Sequence, residues 1–356
     1  MKSKITDTFL FLDRALNSMR EALFYEKVDE VVKCNLCPRH CMIKNNSVGF
    51  CKARKNIDGK LYSLVYARPV AVHIDPIEKK PFYHFFPGST ALSIGTTGCN
   101  FSCLHCQNWE MSQANFEDLP SFDFPPEAAV EEALKNGCKS ISYTYNEPTV
   151  FYEYSLDTAK LAKEKGLLNT YVTNGCIEEE PLKLLSKYLD AANIDLKGLN
   201  EKFYRRICGA ELDWVLNGIK NYVRNKIWVE ITNLIIPNKN DSSDEIKQLC
   251  EWVKDNCGDH TPLHFSRFFP AYKMIDIPPT PIETLERAWK IAKDVGLKYV
   301  YIGNVPGHKY DNTYCYNCGE LLIKRYGFQI LDYRITNGKC PSCGAKIDII
   351  GDYVGR

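Results

Sequence analysis

The sequence predicts an α/β protein: a partial or near-complete (β/α) barrel with an N-terminal cysteine-rich cap and a C-terminal zinc-ribbon-like module. Three observations carry that expectation. From Ala91 onwards, seven short β-rich runs alternate with helix-like stretches. Those runs mostly end in polar or turn-forming groups. Eleven of the sixteen cysteines fall into three groups, two of four and one of three, rather than being scattered along the chain. An open doubly wound sheet is the alternative architecture, because it is built from the same parallel βα units.

The boundaries expected are 1–88 for an N-terminal helix and four-cysteine cap, 89–308 for the barrel and 309–356 for the second four-cysteine module. The start, "MKSKITDTFLFLDRALNSMREALFYEKV", scatters charges where a signal peptide would have a continuous apolar region. No apolar run reaches bilayer length. A cytoplasmic protein is expected, so clustered cysteines read as metal or catalytic sites and not as disulfides. A formal charge of +1 gives no reason to expect a nucleic-acid or membrane partner.

The cap contains Cys34, Cys37, Cys41 and Cys51. Four thiols within so short a span can close around an auxiliary iron–sulfur cluster or around zinc. The segment "DPIEKKPFYHFFPG" (75–88) follows, mixing charge with aromatics, and its prolines break helical periodicity. It is expected to cover the bottom or the mouth of the barrel.

The strands are expected at 91–96, 140–146, 169–175, 191–198, 227–236, 263–269 and 299–305. The stretch 125–137 reads as a helix opened by Pro125 and Pro126 and closed by Gly137. In 242–258, Ser242 is placed as a cap and Glu245 as its capping-box partner. Asn146-Glu147-Pro148, Thr173-Asn174-Gly175, Asp195-Leu196-Lys197 and Gly303-Asn304 end strands, which in either architecture brings them to one mouth. Arg267 and Tyr272, after the sixth strand, are further candidates for the cavity.

"CNFSCLHCQNW" (99–109) supplies Cys99, Cys103 and Cys106 directly after the first strand and offers no fourth cysteine. One short loop can wrap three corners of a cuboidal [4Fe–4S] cluster and leave the fourth iron for an exchangeable ligand. S-adenosylmethionine (SAM) suits that place, since its amino and carboxylate groups chelate one iron. Zinc with a distant fourth ligand, for which His105 is a candidate, is the alternative. Cys315, Cys318, Cys340 and Cys343 form two CxxC knuckles beside Gly319 and Gly344, around the β-rich "LLIKRYGFQILDYRI". Four such thiolates close a tetrahedral zinc shell, a rubredoxin-like iron centre being the alternative. Cys138, Cys176, Cys208, Cys250 and Cys257 stand alone and read as small buried hydrophobes.

"GCNFSCLHCQN" resembles the radical SAM signature C-x3-C-x-aromatic-C, with His105 at the aromatic position near the adenine. "YNEP" (145–148) resembles the Gly-Gly-Glu-Pro element that binds the methionine amino group, Tyr145 and Asn146 standing in place of the glycines. "TNG" (173–175) and "DLK" (195–197) are similar to elements of pyruvate formate-lyase activating enzyme. "CNLCPRHC…GFCKARKN", "PLHFSRFFPAYKM", "YVYIGNVPG" and the C-terminal "CYNCGELLIKRYGF…GKCPSCG" extend the likeness to the AmmeMemoRadiSam-system radical SAM proteins.

The resemblance implies reductive cleavage of SAM to methionine and a 5′-deoxyadenosyl radical that abstracts hydrogen from a substrate. By it Cys99, Cys103 and Cys106 are catalytic cluster ligands. His105, Asn146, Glu147, Asn174, Asp195 and Lys197 are SAM contacts: Glu147 for the amino group, Asp195 for a ribose or cation, Lys197 for the carboxylate. It also implies a reductant such as ferredoxin or flavodoxin, and association with AMMECR1-like and Memo-like proteins. A glycyl-radical-enzyme activase and a non-catalytic metal-binding scaffold are the competing functions.

Overall fold

The computed structural model describes residues 19–355. The helix expected at the N-terminus falls largely on residues 1–18, outside them. The centre is an eight-stranded sheet: β1 (Ala71–Pro76), β2 (Thr90–Gly95), β3 (Ser140–Tyr143), β4 (Leu168–Thr173), β5 (Ala191–Asp195), β6 (Trp228–Ile235), β7 (Leu263–Arg267) and β8 (Val300–Gly303). Each strand neighbours the next in sequence. β2 to β8 are mutually parallel, while β1 runs antiparallel to β2.

All seven expected strands form. They are buried on both faces, as parallel strands covered by helices must be, yet carry buried polar residues such as Ser142, Thr170, Asn193 and Glu230. The expected spans overran the carboxyl ends because the polar tails there leave the sheet. β1 lies inside the stretch assigned to the cap; its weak alternation (Ala71, Val72, His73, Ile74) gave little to read. β1 and β8 occupy opposite edges of the sheet order and do not pair, so the barrel is partial.

The crossovers are α1 (Pro126–Lys135), α2 (Tyr152–Glu164), α3 (Glu179–Leu185), α4 (Leu212–Arg224), α5 (Ser243–Cys257) and α6 (Ile282–Val295). α1 begins at the prolines and ends before Gly137, which adopts a left-handed φ of 64°. The Ser242 side chain caps α5 by accepting from the Glu245 amide. The reciprocal half of the expected capping box is absent. Glu245 Oε1 is buried without a hydrogen-bond partner among the described residues, and burial raises its pKa.

The amino end of the barrel is closed by residues 77–89. Ile77, Phe82 and Phe85 pack with Ala91 and Ala191. The amides of Tyr83 and His84 donate to the buried Glu230 carboxylate of β6 at 3.0 and 2.8 Å, and His264 of β7 contacts Glu230 at 2.8 Å. The 75–88 segment is therefore a floor, one of the two placements expected. The C-terminal module seats against the same floor: buried Arg325 bonds Thr313 and the Tyr83 carbonyl, and His84 bonds the Asp348 carbonyl. The N-terminal cap consists of two small antiparallel sheets. A buried Arg54–Glu153 pair at 2.7 Å ties it to α2.

Candidate active site

The loop after β2 brings Cys99, Cys103 and Cys106 to the carboxyl end of the sheet. Backbone bonds fix its course: the Ser102 and Leu104 amides donate to the Cys208 and Ile207 carbonyls at 2.9 and 2.8 Å, and the Gly98 amide to Met111 at 2.9 Å. Asn146 braces its start, accepting from the Thr96 amide at 3.0 Å and donating to the Gly98 carbonyl at 2.8 Å. Ser112 Oγ lies 3.2 Å from Cys106 Sγ, and the Phe101 amide donates to Cys99 Sγ.

Every residue expected to contact SAM meets this loop. His105, Asn146, Glu147, Asn174, Asp195 and Lys197 line one cavity of about 540 Å³ together with the three cysteines. Arg267 does not line it: its Nε is held by the Thr280 carbonyl at 2.8 Å. Tyr272 stacks on Trp109 instead, with ring centres 5.0 Å apart.

Glu147 is the most constrained group of the set. Oε1 accepts from the Thr149 amide and from the hydroxyls of Thr149 and Thr173, and Oε2 accepts from the Asn174 amide at 2.7 Å. Burial pushes its pKa up against these donors. One lone pair of Oε2 is left for a cation, since a carboxylate oxygen accepts more than one bond. Asn174 donates to Asn100 at 2.8 Å and leans towards Cys99 Sγ. Lys197 Nζ lies 2.7 Å from Asp195 Oδ2. Burial works against the Lys197 charge, but Asp195 and the nearby thiols outweigh it and raise its pKa well above the ordinary value.

His105 is buried, and its Nδ1 has no hydrogen-bond partner among the described residues. Burial and the Lys197 charge lower its pKa to about 3, so the ring is neutral. An orphaned ring nitrogen beside an open cavity fits a heteroaromatic ligand with hydrogen-bonding edges.

The three cysteine groups differ in spacing. In the C-terminal group the four sulfurs lie within 4.8 Å of one another, with Cys315–Cys343 at 3.6 Å and Cys318–Cys340 at 3.7 Å. Zn–S bonds of about 2.3 Å in a tetrahedron place sulfurs about 3.8 Å apart. Among the described residues, no three thiols of the other two groups gather so closely.

Cys34, Cys37, Cys41 and Cys51 surround a void that Arg39, Arg54, Asn100 and Thr149 also line. Arg54 is 1% exposed, and its Nε and Nη1 have no partner among the described residues. Two buried cationic donors left over at a four-thiol void fit an anionic group with acceptor atoms of its own.

Several cavity residues carried no signal in the sequence. Lys79, Lys80, Thr232, Ser266 and Phe328 all line it, and Asp75 stands behind the two lysines. Asn304, which also lines it, belongs instead to a polar strand tail expected at the mouth. Cys176 and Cys208 are buried as expected, but they are not isolated: Cys208 abuts Cys103 and Cys176 abuts Cys37.

Residues 93–253 match the model of the radical SAM superfamily. The chain is 52% identical to an uncharacterised protein of Methanocaldococcus jannaschii, over 93% of this chain and the whole of that one. It is 24% identical to the pyruvate formate-lyase-activating enzyme of Clostridium pasteurianum, over 44% of this chain and 67% of that one. The crystal structure of a radical SAM methyltransferase from Sphaerobacter thermophilus superposes with a TM-score of 0.50 at 14% identity, covering 83% of this chain and 80% of that one. At that identity the likeness speaks to the fold alone.

Proposed function

We propose, for a chain that belongs to the radical SAM superfamily, that Cys99, Cys103 and Cys106 hold a [4Fe–4S] cluster at which SAM is reductively cleaved. Membership of the superfamily makes the chain an enzyme of SAM-dependent radical chemistry; the residue roles and the substrate are our reading. When bound, cluster and SAM together supply a 5′-deoxyadenosyl radical that abstracts hydrogen from the substrate, with release of methionine.

The observation that carries this reading is the convergence of the three cysteines, Glu147, Asp195 and Lys197 on one cavity. Lys197 would offer its ammonium to the SAM carboxylate, and the free lone pair of Glu147 Oε2 would accept from the amino group. Asp195 is left for a ribose hydroxyl and the neutral His105 ring for the adenine. A carboxylate facing an ammonium, and an ammonium facing a carboxylate, are the pairings this ligand demands. Asn146 and Asn174 position: one holds the turn before Cys99, the other the turn over Glu147.

The N-terminal four cysteines we assign to a second [4Fe–4S] cluster, on the wide thiol spacing and the unpartnered Arg54 donors. The C-terminal four we assign to zinc, on their tight spacing. A low-potential reductant, ferredoxin or flavodoxin, would supply the electron, and AMMECR1-like and Memo-like proteins are the candidate partners. The relative named as a pyruvate formate-lyase-activating enzyme favours a second reading, in which the substrate is a glycine Cα on a partner protein.

Anaerobic reconstitution, dithionite reduction and addition of SAM test the main reading. 5′-Deoxyadenosine and methionine are expected in equal amounts. Their absence from a preparation with full iron content sinks it.

A further inference from the structure

Beneath the residues assigned to SAM lies a charged cluster with no part in that assignment. Asp75, near the end of β1, accepts from Lys79 at 2.8 Å on one oxygen, and from Lys80 and the Tyr145 hydroxyl at 2.6 Å each on the other. Lys80 is 3% exposed, and its Nζ also lies 4.5 Å from the centre of the Tyr145 ring. Lys79, Lys80 and Tyr145 all line the cavity that holds the three cysteines.

One carboxylate serves two ammonium groups, so the cluster keeps an unbalanced positive charge. Among the described residues Lys80 spends one of its three N–H donors, on Asp75. Buried Lys80 and Asp75 balance one for one, so the surplus charge sits on Lys79, whose side chain is 43% exposed and which also lines the cavity. Burial lowers the Lys80 pKa to about 8 against the pull of Asp75, the cost of holding an ammonium there.

Tyr145 adds a second, independent sign of purpose. It holds a left-handed φ of 72°, a conformation that strains any residue with a Cβ. It stands where the resembling element has glycine, and the side chain so gained places its hydroxyl on Asp75. The loop of Glu147 is thereby tied to the lysine pair. Apart from the residues assigned to SAM, the rest of the chamber is neutral: Thr232, Ser266 and Asn304 offer hydroxyls and an amide, while Val172, Leu234 and Phe328 are apolar.

We propose that Lys80, assisted by Lys79, binds the carboxylate or phosphate of a small anionic substrate and so holds its C–H bond towards the SAM site. This rests on the reading above, and it names the substrate class: a small acid with an apolar body, not a glycine loop of a protein.

Calorimetric titration of the reconstituted, SAM-loaded protein with succinate, inorganic phosphate and neutral succinamide tests it. At least one anion should bind one per chain, with succinamide far weaker; succinate alone marks a carboxylate site and phosphate alone a phosphate site. Lys80→Met should weaken the preferred anion by about tenfold or more. Should that variant fail to retain iron, Lys79→Met, at a half-exposed position, should weaken it about threefold. Failure of both anions to bind below about 10 mM overturns the proposal. So do equal binding of succinamide and unchanged affinity in the lysine variant. Failure of the wild type to cleave SAM would instead remove the catalytic reading and leave the anion measurement standing.

Discussion

A Cβ built on Gly98 would lie 2.2 Å from the carbonyl oxygen of Cys51. The turn that launches Cys99 therefore rests directly on the backbone of the N-terminal cysteine group. Arg39 reinforces the contact, donating to the Asn100 carbonyl at 3.1 Å. Asn100 in turn lines the N-terminal void and donates to the Cys176 carbonyl at 2.9 Å. Gly98 also has a φ of +90°, so alanine there meets both strain and a backbone clash. Gly98→Ala is expected to destabilise by on the order of 2–4 kcal/mol. It should lower iron in both groups together, measured by iron analysis and Mössbauer spectra. Loss confined to one group would show that the two sites are mechanically separate.

Cys103 is buried in the cavity loop, whereas Cys318 is exposed in the C-terminal module. Cys103→Ala is expected to abolish 5′-deoxyadenosine formation with the fold retained. Cys318→Ala should release zinc and lower the melting temperature of the module while some SAM cleavage persists. Equal loss of cleavage in both variants contradicts this division of labour.

Metal content follows from thiol spacing. The tight C-terminal group suits one ion and the two wider groups suit cuboidal clusters, so about eight iron and one zinc per chain are expected. About four iron and two zinc would place zinc at Cys34, Cys37, Cys41 and Cys51. Arg54→Met, which removes the two unpartnered donors, should make iron at that group labile and leave the zinc count unchanged.

Much of this was legible because its signals are local. Strand tails at Asn146-Glu147-Pro148, Thr173-Asn174-Gly175 and Asp195-Leu196-Lys197 converge for a topological reason, and CxxC spacing fixes a knuckle whatever surrounds it. What stayed hidden depends on long-range closure. Lys80 reads as one basic residue in a charged, proline-broken segment; its pairing with Asp75 is local, but only the long-range fold brings Tyr145 onto Asp75 and Lys80 into the cavity of the three cysteines. Cys176 and Cys208 looked solitary because their partners Cys37 and Cys103 are more than a hundred residues away in the chain. Spacing along the chain alone could not separate zinc from a cluster at the N-terminal group, because the same four thiols suit either.

Glu78 gives the floor a pH dependence. It is 1% exposed, its Oε1 accepts from the Gly88 amide at 2.8 Å, and burial pushes its pKa up to about 7 despite the charge of Arg325. A folded pKa above the unfolded one means the native state holds the proton longer. Its contribution is fully present below about pH 4.5 and is lost as pH rises through 7. Glu78→Gln, neutral throughout, should be the more stable protein at pH 7.5 by about 1–3 kcal/mol. Urea midpoints at pH 5.5 and 7.5 check this: a gap between the two proteins that does not widen with pH removes Glu78 as the cause.

Lys80 predicts the opposite kind of profile, read in ligand affinity. Burial holds its pKa near 8, below the ordinary lysine value, so folding favours the neutral amine. In the free protein this makes stability rise with pH between about 8 and 10.5, where the unfolded chain binds the proton and the native one does not. An anion needs the ammonium form. Above pH 8 each binding event must therefore take up a proton, and affinity should fall by about tenfold per pH unit. The groups facing Lys80 are Asp75, Lys79 and Tyr145. Asp75 stays ionised across this range, since hydrogen bonds from Lys79, Lys80 and Tyr145 outweigh its burial and depress its pKa. Tyr145 stays protonated, because burial and Asp75 raise its pKa. Succinate suits the measurement, both its carboxylates being ionised throughout. Its dissociation constant should be flat below pH 7.5 and climb steeply by pH 9.5, and in Lys80→Met the climb should disappear. A wild-type constant unchanged across that span would mean that the cation reading the anion is not Lys80.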